Sequence, residues 1–263
     1  MSKQEPLYDA LIGRIFRNHY QPGLTTFEFD RAEIESVAAE LNVRLPKNLG
    51  DLIYSFRYRK SLPSEIVETE SENRQWIILP AGRAKYRFEL AKLTHIIPRV
   101  ELVATKIPDA TPQIIAAYAL NDEQALLAKV RYNRLIDVFL GIVSYSLQNH
   151  MRTTVKAMGQ IEIDELYVGI NTHGRQFVIP VQAKSGSDRL AVVQTSQDLA
   201  YCAEKFSNLK ARAVSAQFLA DHVIALFELT LENGEIKVVV EKHYRLVPAD
   251  SITAGDLATY AER

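Results

Sequence analysis

Gln160-Ile161-Glu162-Ile163-Asp164-Glu165-Leu166 is followed, after the turn Asn171-Thr172-His173-Gly174, by Val178-Ile179-Pro180-Val181-Gln182-Ala183-Lys184. Both stretches read as strands, and side chains on a strand alternate between its two faces. Glu162 and Asp164 therefore share one face of the first strand, and Gln182 and Lys184 share one face of the second. Ile161 and Ile163, and Ile179, Val181 and Ala183, form the opposite faces and read as core. Lys184 closes an apolar strand just before Ser185-Gly186. A lysine there either emerges into solvent or is held in a cleft beside carboxylates. A carboxylate one hairpin away suits a hard divalent cation such as Mg²⁺, which takes oxygen ligands. A lysine beside it can orient a water or steady developing negative charge.

Outward from this hairpin, Asp122–Phe139 reads as a helix, with Leu126, Leu127, Val130, Leu135, Ile136 and Val138 as its apolar positions. Ile142–Val155 reads as the strand before Gln160–Ile170, with Gly159 in the turn. Gln176–Lys184 is extended, and Ser187–Phe206 is helical, with Asp188 suited to its N-cap. Ala213–Leu219, His222–Thr230 and Glu235–Val247 read as further strands, the last two joined by Asn233-Gly234. Ser146, Gln148 and His150 share a face of the first strand.

The region before this reads as three helices and a hairpin. Leu7–Tyr20 carries a helical stripe ended by Gln21-Pro22-Gly23. Asp30 and Glu33 form a capping-box pattern ahead of Ile34, Val37, Ala38 and Leu41. A third helix is predicted from about Lys47-Asn48 to Lys60. Gln75–Leu79 and Lys85–Leu90 flank the turn Pro80-Ala81-Gly82-Arg83-Ala84. That order resembles a winged-helix module, in which the third helix enters the major groove and the hairpin lies on the backbone. The resemblance implies DNA contacts from Arg57, Arg59 and Lys60 on the helix and from Arg83 and Lys85 on the hairpin. A solvated basic face, or a protein-binding use of the same fold, also fits these residues. Thr94–Thr111, with prolines at 98 and 108, reads as a linker. The predicted organisation is a DNA-binding domain over 1–93, a linker over 94–111 and a second domain over 112–263.

Composition narrows the classes. The chain has 263 residues, 47% of them hydrophobic and 24% charged, as in an ordinary globular protein. A single cysteine, Cys202, excludes an intrachain disulfide and a zinc site built from cysteines; its apolar helix makes it a core residue. No stretch reaches the roughly 18 apolar residues of a membrane span, and Met1–Pro6 has no apolar core of a secretory signal. A cytoplasmic location without membrane association is expected. The net charge of −1 excludes a uniformly basic nucleic-acid binder, so any DNA contact comes from local patches. Residues 1–100 hold 15 basic and 13 acidic side chains, and the remainder 16 and 19. The six histidines show no metal-binding spacing, and no phosphate-binding loop or nucleophile elbow occurs, so no nucleotide cofactor is expected.

The order helix, three-stranded meander, helix, strand resembles the common core of the PD-(D/E)XK nuclease superfamily. Restriction endonucleases, resolvases and RecB-type nucleases share that core. The fold class so implied is α/β, a restriction-endonuclease-like core (α-β-β-β-α-β, mixed sheet) preceded by a small winged-helix-like α+β domain. The resemblance rests on Glu162-Ile163-Asp164 and Gln182-Ala183-Lys184, with glutamine in the acidic place as in the Mrr-like branch. Gln197-Asp198-Leu199-Ala200-Tyr201 is similar to the Q-x-x-x-Y element of the RecB-like branch. It covers roughly Asp122–Leu219. It implies Asp164 as principal Mg²⁺ ligand, with the Gln182 amide oxygen and the Ala183 carbonyl as further ligands. Lys184 is then the catalytic lysine, either Glu162 supplies the charge that Gln182 lacks or the Mg²⁺ affinity is lower, and Gln197 and Tyr201 line the DNA side. The implied activity is Mg²⁺-dependent hydrolysis of phosphodiesters in double-stranded DNA. The role is that of a type II restriction endonuclease acting as a homodimer. A DNA-binding regulator with an inactive core and a repair or junction-resolving nuclease are the alternatives. Without the resemblance, Asp164 and Glu162 also fit the polar face of a strand, and Lys184 a strand end reaching solvent. Gln182 likewise fits an interstrand hydrogen bond, and Gln197 and Tyr201 a half-exposed helix.

Overall fold

The structure, a computed structural model, describes residues 5–45, 49–58, 60–71, 74–92, 95–118, 123–156, 158–185 and 190–261. It divides into two compact units. One comprises Met1–His95 with Thr153–Ile161 and Ala191–Val193; the other comprises Ile96–Arg152, Glu162–Leu190 and Gln194–Arg263. No helix among the described residues is long and apolar enough to cross a membrane.

The first unit runs α1 (Glu5–His19), β1 (Thr26–Asp30), α2 (Arg31–Glu40), α3 (Leu49–Tyr58), α4 (Ser64–Val67), β2 (Gln75–Pro80) and β3 (Lys85–Ala91). Its strands form an antiparallel sheet in the order β1-β3-β2. The stripe read in α1 becomes core: Leu11, Ile12, Ile15 and Phe16 pack with Ile34 and Val37 of α2, Leu52 and Ile53 of α3, and Trp76 and Phe88 of the sheet. Phe16 sits at the centre, edge-on to Trp76, Phe27 and Phe88 at 5.2–5.3 Å. The capping box at the start of α2 forms, with the Asp30 N–H donating to Glu33 Oε1 at 2.8 Å. The hairpin lies where its turn residues put it. Lys47-Asn48, where the third helix is predicted to start, lies outside the described residues.

The segment expected as a plain linker contains β4 (His95–Ile96) and β5 (Thr105–Pro108), and a short helix, α5 (Gln113–Tyr118), follows. β5 pairs in parallel with the last long strand, so this segment has extended partners that hydropathy alone does not reveal. The long helix predicted over 122–139 is two, α6 (Glu123–Tyr132) and α7 (Leu135–Leu140), and Asp122 is outside the described residues. The apolar period runs through the break, which the polar residues make. Asn133 Nδ2 donates to Thr111 Oγ1 at 2.9 Å and to the Lys129 carbonyl at 2.9 Å. Asn133 Oδ1 accepts the Ala110 N–H at 2.7 Å, and Arg134 then turns left-handed at φ 50°.

Then come β6 (Val143–Val155), β7 (Gly159–Ile170), β8 (Gln176–Lys184), β9 (Leu190–Ala191), α8 (Val192–Lys205), β10 (Lys210–Ala211), β11 (Ala213–Phe218), β12 (Val223–Glu232), β13 (Glu235–Val247) and α9 (Ala254–Ala261). α8 begins five residues later than predicted, and Asp188 lies outside the described residues. The large sheet has the order β5-β13-β12-β11-β8-β7-β6, with β10 beside β8. β7 and β8 are antiparallel, β11 is parallel to β8, and β12 and β13 continue antiparallel. This is a mixed α/β architecture. Phe177, Ile179, Val181 and Ala183 of β8 pack with Leu126, Leu127, Val130, Ile136 and Phe139 of the two helices, as the alternation of β8 predicts.

Candidate active site

The β7–β8 ladder runs from Ile170↔Gln176 to Glu165↔Val181. Beyond Glu165 the side chains bridge the strands. Asp164 Oδ2 accepts the Ala183 backbone N–H at 2.8 Å. Gln182 Nε2 donates to the Glu162 carbonyl at 3.0 Å and to Asp198 Oδ2, on α8, at 2.9 Å. Lys184 Nζ donates to Glu123 Oε1, at the start of α6, at 2.9 Å. The middle of β7, the end of β8 and two helices thus supply one polar cluster.

Its electrostatics are unbalanced. Burial pushes the Asp164 carboxyl up to about 6, and the charges of Glu123 and Glu162 add to that; the Ala183 N–H and the Lys184 ammonium oppose it. Asp198 is completely enclosed, and burial raises its pKa well above the usual carboxylate range; the Gln182 amide opposes this and the Asp164 charge adds to it. Burial also pushes the Cys202 thiol up to about 12, so this cysteine is an inert core residue.

Of the residues the sequence singles out, Asp164, Gln182, Ala183 and Lys184 meet in this cluster. Glu162 stands beside it but turns to β6, 3.2 Å from His150 Nε2 and 3.2 Å from Arg152 Nε. Gln148 is exposed. Gln197 and Tyr201 are buried rather than half-exposed, and Tyr201 packs edge-on against Phe206 at 6.0 Å. In the first unit, Arg57 donates to the Ile78 carbonyl at 2.8 Å and stacks on Tyr86, while Lys60 donates to Asp9 at 2.6 Å and lies over Phe56. Both are tied into their own unit. Arg83 and Lys85 are exposed at the hairpin turn. Arg59 lies outside the described residues.

Comparison with models of known protein families, with characterised proteins and with solved structures gives no match.

The sequence reading missed Glu123, Asp198 and Glu165. Glu123 is distant in sequence and carries no local signal. Asp198 lies inside the Gln197–Tyr201 element, where only the fold reveals that it is enclosed. Glu165 carried a usable signal, since alternation puts it on the apolar face of β7, where a charge needs a partner. It is completely buried, accepting from Arg131 Nε and from Ser146 Oγ at 2.7 Å each.

Among the described residues, no three His, Cys, Asp or Glu side chains cluster tightly enough to hold a metal ion by themselves. A cation here would need oxygens of other kinds, and one stands ready. Gln182 Oε1 is buried and makes no hydrogen bond among the described residues. An orphaned amide oxygen beside a carboxylate is a donor set that fits a hard divalent cation.

Proposed function

We propose that this chain is a Mg²⁺-dependent DNA endonuclease of the PD-(D/E)XK type, acting in the cytoplasm as a homodimeric type II restriction endonuclease. The observation that carries the reading is the hydrogen bond from the Ala183 N–H to Asp164 Oδ2. It ties the acid of one strand to the Gln182-Ala183-Lys184 segment of the next, with Lys184 close enough to bias the ionisation of Asp164. The chain order α6-α7-β6-β7-β8-β9-α8-β10-β11, in which β9 and β10 are two-residue strands and β11 is parallel to β8, is in keeping with that core. The order α1-β1-α2-α3-β2-β3, with the four-residue α4 inserted before β2, and the sheet order β1-β3-β2 are in keeping with a winged-helix module. Because Arg57 and Lys60 are engaged internally, backbone contact in that module falls to the exposed hairpin turn at Arg83 and Lys85.

Asp164, Gln182 Oε1 and the Ala183 carbonyl would hold the cation. Once bound, Mg²⁺ supplies Lewis acidity and makes a water available as a nucleophile near neutral pH. The side chains do the rest. Asp198 and the Glu162 carbonyl grip Gln182 Nε2 and so fix where its oxygen points. Glu123 holds the Lys184 ammonium, which would steady the charge that builds on the phosphate oxygens during in-line attack.

The test is supercoiled plasmid incubated with the protein in Mg²⁺ and in EDTA. Cleavage with Mg²⁺ alone is expected, and Lys184→Ala should lower its rate about 10²–10³-fold while sparing DNA binding. Undiminished cutting by that variant would refute the assignment. A binding-only regulator has one observation in its favour, the neutral Gln182 where an acid is usual. It requires that no condition with Mg²⁺ yields nicks. Comparing a linear duplex with a branched junction separates restriction from junction resolution.

A further inference from the structure

The hairpin turn between β11 and β12 is built from residues that do not suit it. Asp221 (φ 55°, ψ 33°) and His222 (φ 57°) both take left-handed backbone, and the Val223 N–H closes the turn on the Ala220 carbonyl. Two consecutive positive-φ residues are the mark of a type I′ turn, for which Asn-Gly is the preferred pair. The next hairpin obeys that preference, with Asn233 (φ 53°) and Gly234 (φ 80°). At 221–222 an aromatic side chain stands where glycine is favoured, and the left-handed backbone strains it. Folding alone does not ask for His222.

The same turn borders a cleft of about 520 Å³, whose lining includes Lys129, Ser185, Gln217, Phe218, Asp221 and His222. The cleft begins beside the candidate site: Ser185 follows Lys184 directly, and Gln217 is the register partner of Lys184 across the parallel β8–β11 pair. It lies at the carboxyl ends of those two parallel strands, where ligands of open α/β sheets bind. Its chemistry is mixed. Asp221 and His222 are exposed on the turn, Phe218 is partly buried, and Lys129 Nζ stands 5.3 Å from the centre of the Phe218 ring. A site for a bare phosphate would not carry an exposed carboxylate. A base edge, with donors and acceptors side by side, matches an aspartate, a lysine and a histidine around an aromatic floor. Aspartate accepts from the cytosine N4 amino group, and lysine donates to guanine O6 and N7.

We infer that this cleft reads a C·G base pair next to the scissile phosphate, with Asp221 on cytosine, Lys129 on guanine and the strained turn holding Asp221 and His222 in place. This rests on the endonuclease reading and adds a base preference to it. The experiment uses a pool of duplexes with randomised sequence. Wild-type protein, Asp221→Ala and His222→Gly are each given the pool with Mg²⁺, and the cut ends are sequenced. In parallel, duplexes retained by each protein in EDTA are sequenced. Wild type should favour C·G at one fixed offset from the cut by at least about fivefold. Asp221→Ala should fall to within about twofold of no preference; His222→Gly, which keeps the type I′ turn and Asp221, should fall less far and keep or raise the melting temperature because glycine relieves the backbone. Wild-type cutting with no such preference, or a preference that survives in Asp221→Ala, overturns the inference and leaves the endonuclease reading intact. If wild type does not cut, the endonuclease reading falls, and the EDTA selection decides alone: C·G enrichment lost in Asp221→Ala upholds the inference, and any other pattern overturns it.

Discussion

Asp164 and Glu165 are chain neighbours on β7 and face opposite sides of the sheet. Glu165 is fully enclosed and its Oε1 is matched, with Arg131 and Ser146 each at 2.7 Å, while Oε2 makes no hydrogen bond among the described residues. That contact raises the pKa of Arg131 further, with the charge of Glu165 adding to it, against the effect of burial. Asp164 is less enclosed and worse served. One backbone N–H and a nearby ammonium work against burial and two like charges, and burial wins. Glu165 has its counter-charge in direct contact and anchors α6 to the sheet. Asp164 lacks such a contact and so keeps a demand that a cation can meet.

The comparison can be broken in three places. Glu165→Ala should have the largest effect, about 3 kcal/mol lost in urea unfolding, because Arg131 is left without its carboxylate. Replacing both partners, Arg131→Met with Glu165→Leu, should recover most of that loss. A double variant as unstable as the single one would show that the loss does not come from leaving Arg131 without its carboxylate.

Asp164→Asn should act the other way. A carboxyl raised from 3.8 to about 6 binds its proton more tightly in the folded state. Its favourable contribution is complete below the unfolded pKa and is lost as pH climbs through 6. The asparagine variant, which can still accept the Ala183 N–H, should therefore be the more stable protein above pH 6 in EDTA. The gain is about 1–3 kcal/mol and shrinks toward zero by pH 4. Equal stability of the two proteins at pH 7.5 would contradict the imbalance described here. The same substitution should abolish Mg²⁺-dependent cutting.

The smallest effect belongs to a third acid. Asp256 lies on α9, paired with Lys106 at 2.8 Å and bonded to the Thr253 N–H and hydroxyl; these contacts hold its pKa down at about 2. Its stabilisation is present above the unfolded value near 4 and is lost as pH falls through 2. Backbone NMR shifts of α9 should hold steady from pH 7 to 4 and move only between 4 and 2. Asp256→Asn should show the shifted positions already at pH 7.

What the sequence revealed follows the range of each force. Alternation is local, so the β6-β7-β8 meander, the hairpin at Pro80–Ala84 and the pairing of Asp164 with the Gln182–Lys184 segment were all legible. The break at Asn133 was not, because its cause is a set of hydrogen bonds to Ala110 and Thr111 rather than a change in hydropathy. β5 was missed for a similar reason: its partner, β13, lies about 140 residues downstream. In the candidate site, the strand residues announced themselves by position. Glu123 and Asp198 act through burial and proximity that only the folded chain creates, and Glu165 was visible only as a charge out of place.

One feature of β6 bears on what the molecule avoids. β6 ends the sheet order, and it carries exposed Val143, Tyr145 and Leu147 in alternation. Such an edge is a template on which another chain could zip up. His150, at φ 48°, bends the strand just past this stretch. An incoming straight strand would lose its register there, so pairing along this edge is confined to Val143–Asn149.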